Sequence, residues 1–114
     1  MTTPNLNLPE LAPSQSQPHV PVNSALRRLD ALVHLSVLDR ALDTPPGSPA
    51  DGDCYIVGAA PTGAWSTFAE HSIAAFIGTA WVEISPGSGW LAWVADEAVL
   101  YVFSAGSWQS LVAL

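Results

Sequence analysis

The sequence has very few positive charges. Its 114 residues include three basic side chains, none of them lysine, against ten acidic side chains, and the net charge at pH 7 is −7. A chain with this charge repels the phosphates of nucleic acids and the anionic headgroups of membranes. We therefore predict that it binds no nucleic acid.

The sequence also lacks long apolar runs and a cysteine pair. No apolar stretch reaches the ~18 residues that a membrane-spanning helix needs, and the first residues lack the basic and apolar regions of a signal peptide. We therefore predict neither membrane insertion nor export. The single cysteine, Cys54, has no partner for an internal disulfide, and no histidine lies at metal-ligand spacing from it. We expect no bound metal and no cofactor.

The sequence also lacks a recognisable set of catalytic residues. Asp96 and Glu97 are adjacent, so their carboxylates point apart in a strand or turn and do not face each other across a sugar cleft. Asp51 and Asp53 flank a glycine, but the further ligands of a calcium-binding loop are missing. The three histidines have no spaced cysteine, aspartate or second histidine around them. We expect no enzymatic activity.

Proline is frequent at the start of the chain. Residues 1–21 contain five prolines, which break helices and favour extended backbone. Leu6, Leu8 and Leu11 are spread along this segment and are too many for a linker that is only solvated. We interpret residues 1–21 as an extended arm whose leucines dock on a surface, either of this subunit or of a neighbouring one.

Helical periodicity predicts a helix over residues 22–42. Asn23 is suited to cap its N-terminus, and the periodic pattern ends near Asp39. One stripe is wide enough to pack against a sheet and comprises Val22, Ala25, Leu26, Leu29, Leu32, Val33 and Val37. Leu35 and Leu38 project away from that stripe. Two alternatives stay open for them: cover by the arm, or a helix shared between subunits.

Residues 43–114 read as a β-rich region that begins with a connector, DTPPGSPADGD. FIGTAW (76–81) and FSAGSW (103–108) each place a phenylalanine and a tryptophan five positions apart around small turn residues. This repeat predicts two β-hairpins, within a meander of about five to seven short strands. The predicted fold class is α+β in a single domain: an extended N-terminal arm, one long α-helix, then a small antiparallel β-meander packed with the helix.

Both faces of the later strands are apolar. Alternation over residues 90–94 puts Ala92 and Val94 on one face, together with Trp90, and Leu91 and Trp93 on the other. One face can pack on the helix. A second apolar face on so small a sheet indicates a further layer, for which another copy of the chain is the simplest source.

The sequence thus predicts a set of residues at interfaces with other copies or with other proteins, namely Leu6, Leu8, Leu11, Leu35, Leu38 and Trp93.

The five tryptophans offer a different function. An exposed tryptophan can stack on a sugar ring, and the candidates for such a glycan-binding surface are Trp65, Trp90 and Trp93. Trp81 and Trp108, at the exits of the two hairpins, are more typical of core or interface anchors. A glycan-binding module is therefore the alternative to a structural subunit.

Several motifs occur in an order that resembles a known family. They are NLNLPELAPSQSQPHVPVNSALRRLDALVHLSVLDR, PPGSPADGDCYIVG, TGAW, GWLAWVADE and FSAGSW. In this order they resemble DUF2793, a domain of unknown function from tail-fibre, head-spike and related proteins of bacteriophages and gene transfer agents.

This resemblance implies a non-enzymatic structural protein of the virion, in a fibre, spike or tail-tip attachment component. We expect it to contact other phage tail or head proteins through residues 1–21. The surplus apolar faces of the helix and the sheet predict other copies of the chain as further partners, as a homotrimer. In the alternative function, the tryptophans recognise glycans of the host surface.

Overall fold

The computed structural model describes residues 1–13 and 19–113. In this part of the chain there are one α-helix, a 3-10 helix at Gly63–Trp65, and seven strands. The elements are α1 (His19–Leu32), β1 (Ser36–Val37), β2 (Cys54–Ile56), β3 (Ile73–Ile77), β4 (Ala80–Ile84), β5 (Leu91–Val94), β6 (Val99–Ser104) and β7 (Ser107–Ala113). The predicted α+β class with a β-meander is confirmed.

The strands form two sheets. β2, β3 and β4 make a three-stranded antiparallel sheet. β5, β6 and β7 make an antiparallel meander, and β1 joins its edge by pairing parallel to β5.

The backbone after the helix connects these two sheets. Residues 36 and 37 pair with β5, and the next two residues bond to β2. The Leu38 amide donates to the Cys54 carbonyl at 2.9 Å, and the Ile56 amide donates to the Asp39 carbonyl at 3.1 Å. An extended backbone is required to make bonds in both directions, so residues 36–39 cannot be helical.

Two apolar clusters fill the interior. The larger draws side chains from both sheets and contains Val37, Ile56, Ile73 and Val94, each no more than 2% exposed. Burial of each such side chain contributes about 1.5–3 kcal/mol to folding. The smaller cluster is aromatic and is centred on Trp65, which is fully buried.

The predicted repeat forms two hairpins whose aromatic residues face each other across the strands. Phe76 pairs with Trp81 and Phe103 pairs with Trp108, with ring centroids 5.0 and 5.2 Å apart in edge-to-face geometry. Such cross-strand aromatic pairs stabilise a sheet, so the spacing of the repeat has a direct structural cause. The two predicted hairpins are confirmed.

The predicted helix over residues 22–42 was wrong at both ends. α1 begins three residues earlier, at His19, because Pro21 lies in the first helical turn, where no intrahelical partner is needed for the missing N–H. It ends at Leu32, well before Asp39, because the following backbone joins the strands. Asn23 is consequently inside the helix and does not cap it.

The arm is more compact than its prolines predict. Thr2 and Pro9 form an antiparallel bridge around a turn at residues 4–6, and Asn7 adopts a left-handed conformation with φ of 56°. Thr3 is fully buried. Residues 19–21 of the predicted arm belong to α1, and residues 14–18, like residue 114 of the predicted β-rich region, lie outside the described part.

In the residues that the structure describes, no helix has the length and apolar character that crossing a membrane requires.

Candidate interaction surface

The helix turns its apolar stripe away from the rest of the molecule. Val22, Leu29 and Val33 are 43%, 50% and 52% exposed, and Ala25 is exposed as well. The prediction that this stripe packs against a sheet was therefore wrong for these residues. Leu32 at the C-terminal end does pack against the larger cluster.

A polar flank of the helix, beside the stripe, is occupied by the arm. Asp30 is 4% exposed, and its carboxylate accepts hydrogen bonds from the amides of Asn5 and Leu6 at 2.9 and 2.6 Å. The Asn23 side chain accepts from the Leu11 amide and donates to the Leu11 carbonyl, both at 2.9 Å. The helix is thus oriented by polar contacts to the arm, which helical periodicity cannot reveal.

Arg27 extends this attachment to the sheets. Its guanidinium donates to Glu10 at 3.0 Å and to Asp51 at 2.8 Å. Asp51 also accepts from the Gly78 amide at the turn between β3 and β4. One network therefore joins the arm, the helix and the three-stranded sheet, and it holds the apolar stripe outward.

The structure places Leu35 differently from the sequence prediction. Leu35 follows the helix, and its side chain is 5% exposed in the larger cluster, so the expectation that it projects outward was wrong. Its carbonyl accepts from the Trp93 amide at 3.0 Å, which fixes the backbone beside β5. Leu38 is 43% exposed, as expected for a side chain that projects outward.

The outer face of the meander sheet is apolar. Leu91 pairs with Val102, and Trp93 pairs with Leu100, whereas the alternate residues Ala92 and Val94 are fully buried on the inner face. This is the two-sided apolar pattern that alternation predicts for residues 91–94. The prediction was wrong for Trp90, which precedes β5 and is 36% exposed instead of lying on the inner face with Ala92 and Val94. Leu91 is 51% exposed and Trp93 is half-buried.

Two adjoining grooves lie where the helix end meets this outer face. One has a volume of about 360 Å³ and the other about 220 Å³, and Val33, Leu35 and Leu91 line both. Leu32, Gly89 and Trp90 complete the first groove, and His34, Trp93 and Leu100 complete the second. None of the described residues that line these grooves is acidic.

The helical stripe and the grooves form one continuous region because Val33 belongs to both. We call this region the apolar surface and define it by eight residues: Val22, Leu26, Leu29, Val33, Trp90, Leu91, Trp93 and Leu100. A patch of this kind on a small domain is typical of a protein-binding site.

The tryptophans separate into buried and accessible residues. Trp65 is fully buried beside Tyr55 and Trp81, so it cannot stack on a glycan and that prediction was wrong. Trp90 is 36% exposed and lies in the first groove, and Trp93 lies in the second.

Trp81 and Trp108 pack the two hairpins against the core. Trp81 is half-buried against the aromatic cluster, and Trp108 against the larger one. The indole Nε1 of Trp108 also donates to the His71 carbonyl at 2.8 Å, which ties β7 to the chain before β3.

The arm leucines keep part of their surface free. Leu6 and Leu8 are half-buried, and Leu11 is 44% exposed while its backbone is held by Asn23. The sequence pattern located these leucines but gave no signal for Asp30, whose carboxylate holds the arm. That Asp30 is the one acidic residue of α1 (His19–Leu32) would have been the signal.

The turn between β5 and β6 holds the adjacent carboxylates. Glu97 accepts from Arg40 at 2.6 Å and from the Tyr101 hydroxyl, and the Arg40 guanidinium lies 4.7 Å from the centre of the Tyr101 ring. The Tyr101 hydroxyl and Arg40 lower the pKa of Glu97, whereas slight desolvation and the neighbouring carboxylates of Asp39 and Glu97 raise the pKa of the exposed Asp96. Glu97 therefore braces this turn through Arg40 and Tyr101.

Over residues 1–13 and 19–113, no three His, Cys, Asp or Glu side chains are placed to hold a metal ion. Cys54 is buried, and this burial raises its thiol pKa to about 12. Such a thiol is protonated at neutral pH and is a poor nucleophile.

A comparison with known protein families gives one match. Residues 22–109 match the family described as Protein of unknown function (DUF2793). The chain belongs to this family. The DUF2793 region contains the whole apolar surface and excludes the arm. No curated protein matches the chain.

Proposed function

We propose that this DUF2793 protein is a non-enzymatic structural subunit that assembles with other copies of itself in a bacteriophage-type virion. The observation that supports self-assembly is the apolar surface, where a half-exposed helical stripe continues into two grooves beside Trp90 and Trp93. Aromatic and aliphatic side chains of this kind form the energetic centre of protein interfaces.

Charge favours this surface over the rest of the molecule as the contact region. The chain carries a net charge of −7, so two copies repel each other through most of their surface. The apolar surface contains no acidic residue, and its burial removes apolar side chains from water at about 25 cal/mol for each Å². Contact through it therefore gains from apolar burial without bringing acidic residues of this surface together.

The virion setting is supported by the resemblance of the ordered motifs to tail-fibre and head-spike domains. Within that setting we assign the subunit to a fibre, spike or tail-tip attachment component. The arm supplies the contact with other tail or head proteins, since Leu11 is 44% exposed and Leu6 and Leu8 keep part of their surface free.

The grooves suit a protein partner better than a glycan. Trp90 and Trp93 offer aromatic surface, but among the described residues that line the two grooves only His34 is ionisable. Sugar recognition needs several directed hydrogen bonds besides stacking. A host-surface glycan is therefore the alternative function, and it rests on these two tryptophans alone.

Analytical ultracentrifugation over a range of concentrations tests self-assembly. We expect the wild-type protein to form a defined oligomer at micromolar concentration. Leu91→Asp with Leu100→Asp should weaken that oligomer at least ~100-fold, because a buried unpaired carboxylate costs about 3 kcal/mol or more. Leu38→Asp is the matched control, since Leu38 is exposed but lines neither groove.

A wild-type protein that stays at the 12.0 kDa of one chain contradicts self-assembly. If Leu38→Asp disrupts the oligomer and the sheet variant does not, the interface is the one predicted from the sequence around residue 38. Calorimetry with a glycan panel tests the alternative: sugar binding that Trp90→Ala abolishes, in a protein with no oligomer, supports the glycan-binding module.

Immunogold electron microscopy of purified particles tests the virion setting. An antibody against this chain should label particles at a fixed position. Particles that carry no label while the protein accumulates in the lysate contradict that part of the proposal.

A further inference from the structure

β7 (Ser107–Ala113) is an open edge of the meander sheet. It stands last in the strand order, and β6 is its one strand partner among the described residues. Edge strands are usually protected by charged side chains, by prolines or by a covering segment. The sequence of β7, SWQSLVA, contains no charge and no proline, and its first four residues keep a regular register with β6. This part of β7 can therefore accept another strand.

The hydrogen bonds of Phe103 identify the free backbone groups of β7. The Phe103 amide donates to the Trp90 carbonyl at 2.9 Å, and its carbonyl accepts from the Gly89 amide at 2.8 Å, so both groups point toward the β5 side. In an antiparallel ladder the residue paired with Phe103 points its own amide and carbonyl the opposite way, and that residue is Trp108. Ser110, two positions further, points the same way.

Trp108 and Ser110 thus offer two N–H donors and two carbonyl acceptors along the open edge. Within the described part of the chain, no hydrogen bond outside the strand ladders reaches these four groups. They have the positions that a strand added beside β7 would bond to.

The edge is continuous with a polar groove of about 350 Å³. Trp108 lines this groove, and residues that follow β2 or precede β3 form another wall. The Trp108 indole reaches that wall, where its Nε1 donates to the His71 carbonyl at 2.8 Å. The groove therefore begins at the edge strand itself.

The groove is acidic once its arginine is accounted for. The Arg40 guanidinium is already bonded to Glu97 at 2.6 Å. The Asp43 carboxylate accepts a long backbone hydrogen bond of 3.3 Å. The Glu70 carboxylate is 48% exposed and lies 3.7 Å from the His71 imidazole, which is too long for a hydrogen bond. Asp43 and Glu70 can therefore receive a cation from outside.

We infer that β7 binds an extended segment of a partner protein as an added strand, and that the polar groove holds a lysine or arginine side chain of that segment. In strand addition the main-chain hydrogen bonds supply affinity and side-chain pockets supply specificity. A residue opposite Trp108 has its Cβ about 4.5–5.5 Å from the Cβ of Trp108, so its side chain enters beside the indole. A basic segment also matches the net charge of −7.

A second copy of this chain does not fit the site. The chain has three basic residues, all of them arginine. Arg27 and Arg28 are in α1, and Arg40 lines the groove itself. No strand of the described residues therefore carries a basic side chain that could be added here, and the partner is a different protein. This site is separate from the apolar surface, so the inference goes beyond self-assembly and does not depend on it.

Peptide titration followed by NMR tests the edge. The probe is a synthetic peptide of alternating threonine and glutamine with one central lysine, whose threonines favour extended backbone. It should shift the amide resonances of Trp108 and Ser110 and slow the solvent exchange of both amides at least ~10-fold. The same peptide with a central glutamate should bind at least ~10-fold more weakly, because it meets the carboxylates of the groove.

A proline scan tests which amides point outward. Ser110→Pro removes an outward N–H and no N–H of the β6–β7 ladder, so it should weaken binding of the lysine peptide at least ~10-fold and leave the melting temperature near that of the wild type. Gln109→Pro is the matched control, because the Gln109 amide faces Val102 and its loss should lower the melting temperature. If both variants melt equally early, the assignment of outward groups is wrong.

Glu70→Gln tests the groove and leaves the edge unchanged. This variant should bind the lysine peptide at least ~5-fold more weakly than the wild type and narrow the difference between the two peptides. Asp96→Asn is its control, since Asp96 is an exposed carboxylate that does not line the groove, and it should keep the wild-type affinity. The Leu91→Asp, Leu100→Asp protein should also bind the peptide as the wild type does, so a failure of self-assembly does not affect this result.

Three results would overturn the inference. The first is no binding up to millimolar peptide, or binding that leaves the Trp108 and Ser110 amides unchanged. The second is equal affinity for the lysine and glutamate peptides, which excludes a basic partner. The third is protection of these two amides in the free protein that increases with protein concentration, because a second copy would then occupy the edge.

Discussion

At the scale of single residues, burial determines how each ionisable side chain is tolerated in the core. Cys54 lies in the larger apolar cluster at 2% exposure and has a pKa raised to about 12, first by burial and then by the nearby Asp53 and Asp30 carboxylates. Asp30 is also buried, yet it keeps two backbone donors as partners. One group is kept neutral by its surroundings and the other is hydrogen-bonded, which are the two ways a protein tolerates a buried ionisable side chain.

The shifted thiol gives a prediction for alkaline pH. The unfolded thiol loses its proton above its ordinary pKa of 9.0, whereas the folded thiol keeps its proton up to about pH 12. Between these values the unfolded state binds fewer protons, so the free energy of unfolding should fall by up to about 1.4 kcal/mol for each pH unit. Urea titrations from pH 8 to 10.5 should show this slope.

Cys54→Ala provides the control for that slope. It removes the thiol contribution and leaves those of Tyr55 and Tyr101, whose pKa values burial also raises from 10.0. The variant should therefore lose stability less steeply than the wild type between pH 9 and 10. Equal slopes in the two proteins would show that the thiol does not titrate differently on folding.

At the scale of elements, sequence reasoning succeeded where contacts are local and failed where they are distant. The spacing of Phe103 and Trp108 predicted a hairpin because the two rings meet across one turn. The end of α1 at Leu32 was missed because it depends on bonds from residues 35–39 to β5 and β2, far along the chain. Its orientation was missed because Asp30 binds the arm, a contact that no periodicity encodes.

The β6–β7 turn gives a prediction at this scale. Ser104 pairs with Ser107, and the two residues between them, Ala105 and Gly106, have φ of 55° and 81°. Both values belong to a type I′ turn, which asparagine followed by glycine suits best. Ala105→Asn should raise the free energy of unfolding by about 0.5–1 kcal/mol, because it relieves an alanine held in the left-handed region.

Gly106→Ala tests the same turn in the opposite direction. A Cβ at Gly106 meets nothing within 4 Å, so conformational strain alone acts there. We expect a loss of about 1 kcal/mol in chemical denaturation. If Ala105→Asn is neutral while Gly106→Ala destabilises, the turn does not strain Ala105 in solution.

At the scale of the whole molecule, the arm and the apolar surface are two consequences of one arrangement. The arm occupies the polar flank of α1, and the apolar stripe is left outward and continuous with the grooves of the sheet. The apolar sheet face was predictable from alternation in residues 90–94. The outward helix was not, since it requires the folded arm as a partner for the polar flank.

The attachment of the arm to its own helix gives the last prediction. Asp30→Ala leaves the amides of Asn5 and Leu6 without their carboxylate acceptor. Hydrogen bonds to a charged group contribute about 1.5–3 kcal/mol, so the variant should lose roughly 2 kcal/mol in thermal or urea unfolding. Asp43→Ala is the control. The Asp43 carboxylate accepts one exposed hydrogen bond, from the Ala60 amide at the long distance of 3.3 Å, so this variant should lose less stability.

A truncation that removes residues 2–13 should lose at least as much stability as Asp30→Ala, because it also removes the buried Thr3. Equal stability of the wild-type and truncated proteins would mean that the arm is released from α1 in solution, and its leucines would then be free for a neighbouring subunit.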